Sequence, residues 1–134
     1  MLLIGISTSD THEDVAKLTK KIINLRIFED MTGQPISDSK WYGKPWSKSI
    51  LDLTDHKILS VSQFTLYGTI KKGTKPDLHK AAKGDGAILL YNDFLKALKK
   101  EIGEERVEDG KFGEMMDVEL INDGPVTIVW DTKE

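Results

Sequence analysis

Two short polar segments are the strongest candidates for chemistry in this sequence. Ser62-Gln63-Phe64-Thr65-Leu66 ends a stretch rich in β-forming residues, and Asn122-Asp123-Gly124-Pro125-Val126-Thr127 separates two other such stretches. Hydroxyl and amide side chains at a strand end can position a substrate or a water molecule, and a plain core strand carries fewer of them. The structural alternatives are a strand whose polar groups satisfy neighbouring backbone groups, and an ordinary turn.

The common catalytic templates are absent from the sequence. His12, His56 and His79 lack the spacing of a metal site and are better explained as surface residues, and no Gly-x-Ser-x-Gly or phosphate-loop pattern occurs. The chain has no cysteine, which excludes disulfides, thiolate metal sites and cysteine nucleophiles. The carboxylates are scattered, so no acid and base pair can be named. We therefore expect neither a metal nor another cofactor.

The composition is that of one globular domain. The 134 residues are 39% apolar and 31% charged, enough for one hydrophobic core and too few residues for two ordinary domains. The net charge of -3 offers no overall attraction to nucleic acid, so an RNA site would have to be local. No secretory leader or membrane span is predicted. We expect a cytoplasmic protein with no membrane partner and no DNA partner.

Apolar spacing predicts two helices that pack on strands. A capping box predicted at Asp10 and Glu13 precedes the first helix, and a second helix is predicted to end near Gly103. Strands are predicted at 2–6, 57–67, 116–120 and 126–130, and a long loop or irregular hairpin at about 29–49. An antiparallel sheet or small barrel with two packed helices, an α+β architecture, is the economical arrangement.

The two polar segments resemble the paired signatures of the D-aminoacyl-tRNA deacylases, also called D-tyrosyl-tRNA deacylases. Both segments match in order and at a family-like separation. Supporting similarity runs through 24–30, 72–77 and 111–113 with Met116, and together these segments cover most of the chain from Leu2 to Asp131. The sequence is identified as a member of this family on these five ordered segments.

The resemblance implies an antiparallel β-barrel-like subunit with two packed helices that forms a symmetric homodimer. Gly124-Pro125 is then a turn with a cis bond whose carbonyl oxygens point into the partner's pocket. A backbone wall there accepts hydrogen on the substrate α-carbon and rejects an L side chain, and it cannot exclude glycine. The expected activity is hydrolysis of the ester of D-aminoacyl-tRNA, and of mischarged glycyl-tRNA, in translation quality control.

The resemblance also assigns roles around the pocket. The catalytic residues are Ser62, Gln63, Phe64 and Thr65, with backbone N–H groups near Phe64 and Thr65 as donors to the oxyanion. No histidine or lysine lies near Thr65 in the sequence to activate it, so we expect Thr65 and Gln63 to position groups while a ribose hydroxyl of the tRNA assists the water. The other assigned residues are Phe112, Gly113 and Met116 at the adenosine, and Lys72 and Lys75 at the RNA backbone. The alternative for Phe112 is packing in the core, and the alternative for Lys72 and Lys75 is a plain solvated loop.

The sequence departs from the family pattern in three places. The family begins with a strand carrying Gln-Arg-Val and a hairpin, and residues 1–134 are expected to form a single domain that lacks them. Glu114 stands where the family usually has alanine, and extra residues around 41–46 lengthen a loop of unknown purpose. The rival functions are a non-catalytic dimeric tRNA-binding module of the same fold and a structural homodimer.

Overall fold

The described part of the chain contains two α-helices, two short 3-10 helices and five short strands. The computed structural model describes residues 1–33 and 42–134. Its elements are β1 (Leu2–Ile4), α1 (His12–Asn24), β2 (Phe28–Asp30), β3 (Lys44–Lys48), β4 (Ile58–Ser62), a 3-10 helix (Phe64–Tyr67), α2 (Gly84–Ile102), a second 3-10 helix (Glu104–Arg106) and β5 (Val107–Asp109). None of the described helices combines the length and apolar character that crossing a membrane requires.

The main sheet is open and parallel. Its strand order is β1-β4-β5, and Ser60 in the middle of β4 is paired with Leu2 on one side and Asp109 on the other. The connection from β1 to β4 contains α1 and that from β4 to β5 contains α2, so the chain re-enters the sheet in the same direction each time. A mixed α/β fold with two helices is confirmed. The predicted antiparallel barrel-like sheet is wrong for the described residues, in which β2 and β3 are the one antiparallel pair of strands, besides isolated antiparallel bridges at Ser7–Ala81 and Thr69–Asp77.

The strands predicted at 116–120 and 126–130 do not form. Residues 110–134 contain no helix or strand, and we call residues 117–134 the C-terminal arm. Most of its apolar side chains are open to solvent, among them Ile121 at 95% and Val129 at 81% exposed, whereas Val126 and Trp130 are half-buried. An alternating sequence becomes a strand only where a second backbone supplies hydrogen bonds. The described part of a single chain supplies none to these two stretches.

The two helices form as the apolar spacing predicts, with one correction at the start of α1. The capping box uses Thr11 and Asp14 instead of Asp10 and Glu13, and Thr11 N–H donates to Asp14 Oδ2 at 2.9 Å. Asp10 accepts instead from the Ser7 N–H at 2.8 Å, which closes the turn after β1. α2 ends at Gly103, whose φ of 107° suits a residue without a side chain.

The hydrophobic core lies between the inner face of α2 and the parallel sheet. Tyr91, Phe94 and Leu98 of α2 are almost completely buried. They pack in one cluster with residues of the strands and of the loop before β4, among them Ile4, Ile50, Ile58 and Val107. Burial of this helix face fixes the position of α2 over β4, and therefore also the place where β4 ends.

The segment predicted as a loop or irregular hairpin is a hairpin. β2 and β3 pair with a register shift between Phe28 and Asp30, and the Gly43 N–H donates to Glu29 Oε2 at 2.9 Å. Residues 34–41, which include Trp41, lie outside the described residues. The strand predicted at 57–67 ends earlier, at Ser62, because the chain turns there into the 3-10 helix.

Candidate active site

The candidate catalytic segment lies where β4 ends. The Gln63 N–H donates to the Ile4 carbonyl at 2.8 Å, which ties the strand end to β1. The next N–H with a backbone partner belongs to Leu66, which donates to the Gln63 carbonyl at 3.3 Å. Within the described residues, no acceptor is paired with the N–H groups of Phe64 and Thr65. Two successive backbone donors are therefore available to a ligand at this strand end.

The side chains of Gln63 and Thr65 are bonded to each other. Gln63 Nε2 donates to Thr65 Oγ1 at 2.5 Å, and Thr65 is exposed. An amide cannot accept a proton at neutral pH, so this contact orients the threonine hydroxyl without making it a stronger nucleophile. The geometry favours a positioning role for both residues.

A cavity of about 480 Å³ opens beside the strand end. The candidate residues that line it are Ser62, Gln63, Phe64, Phe112, Gly113 and Met116. Its volume is in the range of pockets that enclose a small molecule or a nucleoside. A second cavity of about 160 Å³, between α1, β1 and the C-terminal arm, is lined by none of the candidate residues.

The second wall of the larger cavity is the 110–116 turn that follows β5. The Gly110 N–H donates to the Ser60 carbonyl at 3.1 Å, and the Lys111 N–H contacts Met116 Sδ at 3.4 Å. Phe112 packs on the core with its ring centroid 5.4 Å from that of Tyr91, and it also lines the cavity. Core packing and ligand contact are therefore compatible for this residue.

The other candidate residues lie away from this cavity within one chain. Thr65 is adjacent to the lining residues but is not one of them, and Lys72 and Lys75 are exposed in the loop before α2. Gly124 and Pro125 lie on the exposed C-terminal arm and do not line the cavity of their own chain. A single subunit thus brings together the strand end and the 110–116 turn, but not the Gly124-Pro125 turn.

The Gly124-Pro125 turn is ordered by a side chain that the sequence analysis did not single out for this role. The peptide bond is cis, as the resemblance implies, and Gly124 has a φ of 126°. Asn122 spans the turn: its Oδ1 accepts from the Val126 N–H at 3.1 Å and its Nδ2 donates to Thr127 Oγ1 at 3.0 Å. Asparagine before a Gly-Pro turn is the signal from which this clasp could have been predicted.

The end of the C-terminal arm is anchored on α1. Lys133 Nζ lies 2.8 Å from both oxygens of Asp14, and the Thr132 hydroxyl donates to the same carboxylate at 2.8 Å. The Lys133 ammonium, with the Thr11 N–H and the Thr132 hydroxyl, holds the pKa of Asp14 well below its usual range. Trp130 packs under the ammonium groups of Lys17 and Lys21, at 5.9 and 5.1 Å from its ring centroid. The C-terminal end of the arm is therefore held on α1, whereas Gly124 and Pro125 are exposed.

One further basic residue borders the larger cavity. Lys83 precedes α2 and lines the cavity together with Gly84 at the start of that helix. Lys83 is not among the residues to which the resemblance assigns a role. Its position directly before a helix start is the feature that distinguishes it from its neighbours in the loop.

Comparison with known proteins gives one consistent result. The family model described as D-Tyr-tRNA(Tyr) deacylase matches residues 1–131. Curated relatives named D-aminoacyl-tRNA deacylase include one from Candida glabrata, 52% identical over 134 residues, and one from Bacillus velezensis, 47% identical over 134 residues. Both alignments cover 100% of this chain and 82% of the relative.

Solved structures agree with the sequence comparison. The structure of a c-Myc DNA Unwinding Element Binding Protein is 46% identical and superposes with a TM-score of 0.80, over 94% of this chain and 76% of that one. A probable eukaryotic D-amino acid tRNA deacylase, 18% identical over 86% of this chain and 72% of that one, has a TM-score of 0.60 and shares the fold. Because the family model matches residues 1–131 of the 134 and the curated relatives are close to half identical, the chain belongs to the D-Tyr-tRNA(Tyr) deacylase family.

Proposed function

We propose that this protein hydrolyses the ester of D-aminoacyl-tRNA, and of mischarged glycyl-tRNA, and releases the free amino acid and the tRNA. The observation that carries the proposal is the single cavity on which the strand-end residues Ser62 to Phe64 meet Phe112 and Met116. An aromatic ring and a thioether suit the adenine of the terminal adenosine. The ester joined to that adenosine would then lie at the end of β4.

The chemistry at the strand end needs donors and a water. Water attacks the ester carbonyl carbon, the bond to the ribose oxygen breaks, and that oxygen takes the proton. The free N–H groups of Phe64 and Thr65 are suited to stabilise the oxyanion, because rigid backbone donors need no reorganisation during the reaction. The neighbouring ribose hydroxyl of the tRNA assists the water, since neither Gln63 nor Thr65 is a base.

The chirality filter requires a second copy of the chain. A D-amino acid and its L counterpart differ in which substituent, hydrogen or side chain, lies along a given direction from the α-carbon. The carbonyls of Gly124 and Pro125 form a wall that leaves room for hydrogen only, so the L form is rejected by a clash. Within one chain these residues do not line the cavity, whereas in a two-fold homodimer each turn closes the partner's pocket.

The exposed apolar surface supports this homodimer. Phe64 on the cavity wall and Leu66 in the same 3-10 helix are 55% and 48% exposed, and Ile121 near the turn in sequence is 95% exposed. Large apolar side chains exposed to this extent at the site and near the turn suit a surface that a second subunit covers. The exposed Lys72 and Lys75 are proposed to contact phosphates of the tRNA by charge alone, independently of sequence.

Deacylation of D-tyrosyl-tRNA by the purified protein, with L-tyrosyl-tRNA as the comparison, tests the proposed function. We expect release of D-tyrosine and retention of the L ester. If neither ester is cleaved but uncharged tRNA is retarded in a native gel, the protein is instead a tRNA-binding module of the same fold. Hydrolysis of both esters at equal rates would contradict the chirality filter but would still support the proposed esterase activity.

We expect Thr65→Ala to retain deacylation, with the rate lowered by about tenfold or less, because the threonine positions groups and does not attack. The measurement is single-turnover hydrolysis of D-tyrosyl-tRNA. Thr65→Ser, which keeps the hydroxyl, is the matched control and should be close to the wild type. Loss of all activity in Thr65→Ala, together with an aminoacyl adduct on Thr65 in mass spectrometry, would assign the nucleophile to this residue.

A further inference from the structure

A buried hydrogen-bonded relay links α2 to the two strands that lead to the cavity. Tyr91 is 1% exposed, and its hydroxyl donates to Asp109 Oδ1 at 2.6 Å. The same hydroxyl lies 3.0 Å from Oγ of the fully buried Ser60. Because the single proton of Tyr91 points to the carboxylate, the Ser60 hydroxyl must donate to Tyr91. The relay therefore has one direction, from Ser60 through Tyr91 to Asp109.

The relay joins the two residues that flank the start of the 110–116 turn, Asp109 before it in the chain and Ser60 beside it in the sheet. Ser60 and Asp109 are register partners in the β4-β5 ladder, and the Ser60 carbonyl accepts the Gly110 N–H. Burial, followed by the bond to Asp109, raises the pKa of Tyr91 above its usual value, so the hydroxyl stays a donor. Tyr91 thus fixes the last residue of β5 at the point where the chain leaves the sheet.

The ring of Tyr91 also contacts the same turn, through Phe112. Its centroid lies 5.4 Å from that of Phe112, with the planes inclined by 44°. Phe112 lines the cavity on its other side, whereas Tyr91 does not reach it. A β-carbon added at Gly110 would lie 3.0 Å from Met116 Sδ, so the thioether rests directly on the start of the turn. Phe112 and Met116 are both placed by the segment that Tyr91 holds.

We infer that Tyr91 is a positioning residue for the adenosine pocket, which sets Phe112 through ring contact and the 110–116 turn through its hydroxyl. The inference rests on the proposed function, because it takes the cavity as the place of the terminal adenosine. Tyr91 touches no reacting atom, so its hydroxyl affects how tightly the 3′ end of the tRNA is held. It has little effect on the chemical step.

Tyr91→Phe tests this inference, since it keeps the ring and removes the hydroxyl. We expect KM for D-tyrosyl-tRNA to rise by about five- to tenfold, because both hydrogen bonds of the hydroxyl are lost and the turn is held less firmly, with kcat changed by less than about twofold. Leu98→Val is the matched control: Leu98 is a fully buried residue of the same helix, two turns after Tyr91, and has no role in the relay. It should lower stability and leave KM unchanged.

A second measurement does not depend on activity. With methyl-labelled methionine, the NMR signal of Met116 should move in Tyr91→Phe and stay in place in Leu98→Val. Met31, which is 61% exposed and lies outside the 110–116 turn, is the internal reference. An unmoved Met116 signal overturns the inference, and so does an equal rise of KM in both variants. If wild-type protein cleaves no D-ester, the proposed function fails, and the Met116 signal still decides whether Tyr91 sets the turn.

Discussion

Gly124→Ala is expected to lower the ratio of D- to L-tyrosyl-tRNA hydrolysis by about 100-fold, the usual cost of a group displaced by about 1 Å in an active site. Gly124 has a φ of 126°, a conformation that a residue with a β-carbon rarely adopts. The added carbon would also lie 2.9 Å from Val126 Cγ2 and 3.0 Å from the Val126 nitrogen. Because the backbone nitrogen cannot rotate away, the turn and its carbonyl must move.

Gly73→Ala is the control for the conformational strain alone. Gly73 also has a positive φ, 68°, but nothing lies within 4 Å of an added β-carbon, and it lies outside the proposed filter. Gly73→Ala should change the rates of D- and L-tyrosyl-tRNA hydrolysis by the same factor. Asn122→Ala, which removes the clasp across the turn, should lower the ratio by a smaller amount than Gly124→Ala. If a folded, dimeric Gly124→Ala protein keeps the wild-type ratio, the filter does not lie at Gly124 and Pro125.

The helices could be predicted because their signals are local. The apolar residues along one face of α2 must meet the core, and Gly103 ends the helix because it can adopt a positive φ. Both features can be recognised from a few neighbouring residues of the sequence. The shift of the capping box from Asp10 to Thr11 shows the limit of such signals. Both positions offer a side chain that can cap, and the turn after β1 takes Asp10 for the Ser7 N–H.

The sheet could not be predicted to the same extent because strand pairing depends on distant residues. β5 has three residues, Val107–Asp109, too few to show alternation, and it is a strand because α2 returns the chain beside β4. The reverse holds for 126–130, where alternation is clear and no described backbone pairs with it. Propensity describes which residues suit a strand, whereas a partner decides whether one forms.

Residue types alone pointed to residues 62–65, but only the resemblance joined this segment to 112–116 as one site. Ser62 to Phe64 and Phe112 to Met116 are about 50 residues apart in the chain, and no spacing rule connects them. The structure adds the physical link, since Ser60 and Asp109 are paired in the ladder and each leads within a few residues to one wall of the cavity. The support from Tyr91 and Asn122 came from contacts that have no sequence signature of comparable strength.

Ile121→Asp is expected to convert the dimer to a monomer and to lower deacylation of D-tyrosyl-tRNA by at least about 100-fold. Ile121 is 95% exposed in one chain and lies three residues before Gly124, so in the proposed dimer it is buried beside the partner's cavity. A carboxylate there would have to lose its water without gaining a partner. The wild type should have twice the 15.1 kDa mass of one chain in light scattering, and the variant a single chain's mass.

Leu89→Asp is the matched control for this variant. Leu89 is 64% exposed on α2 and lines neither cavity, and the same change there should leave both mass and activity at wild-type levels. The loss in Ile121→Asp follows because a pocket without the partner's turn has no wall against water or against the L side chain. A wild-type protein that is already monomeric would exclude the cross-subunit filter. A monomeric Ile121→Asp protein that still cleaves only the D ester would place the chirality filter within one chain.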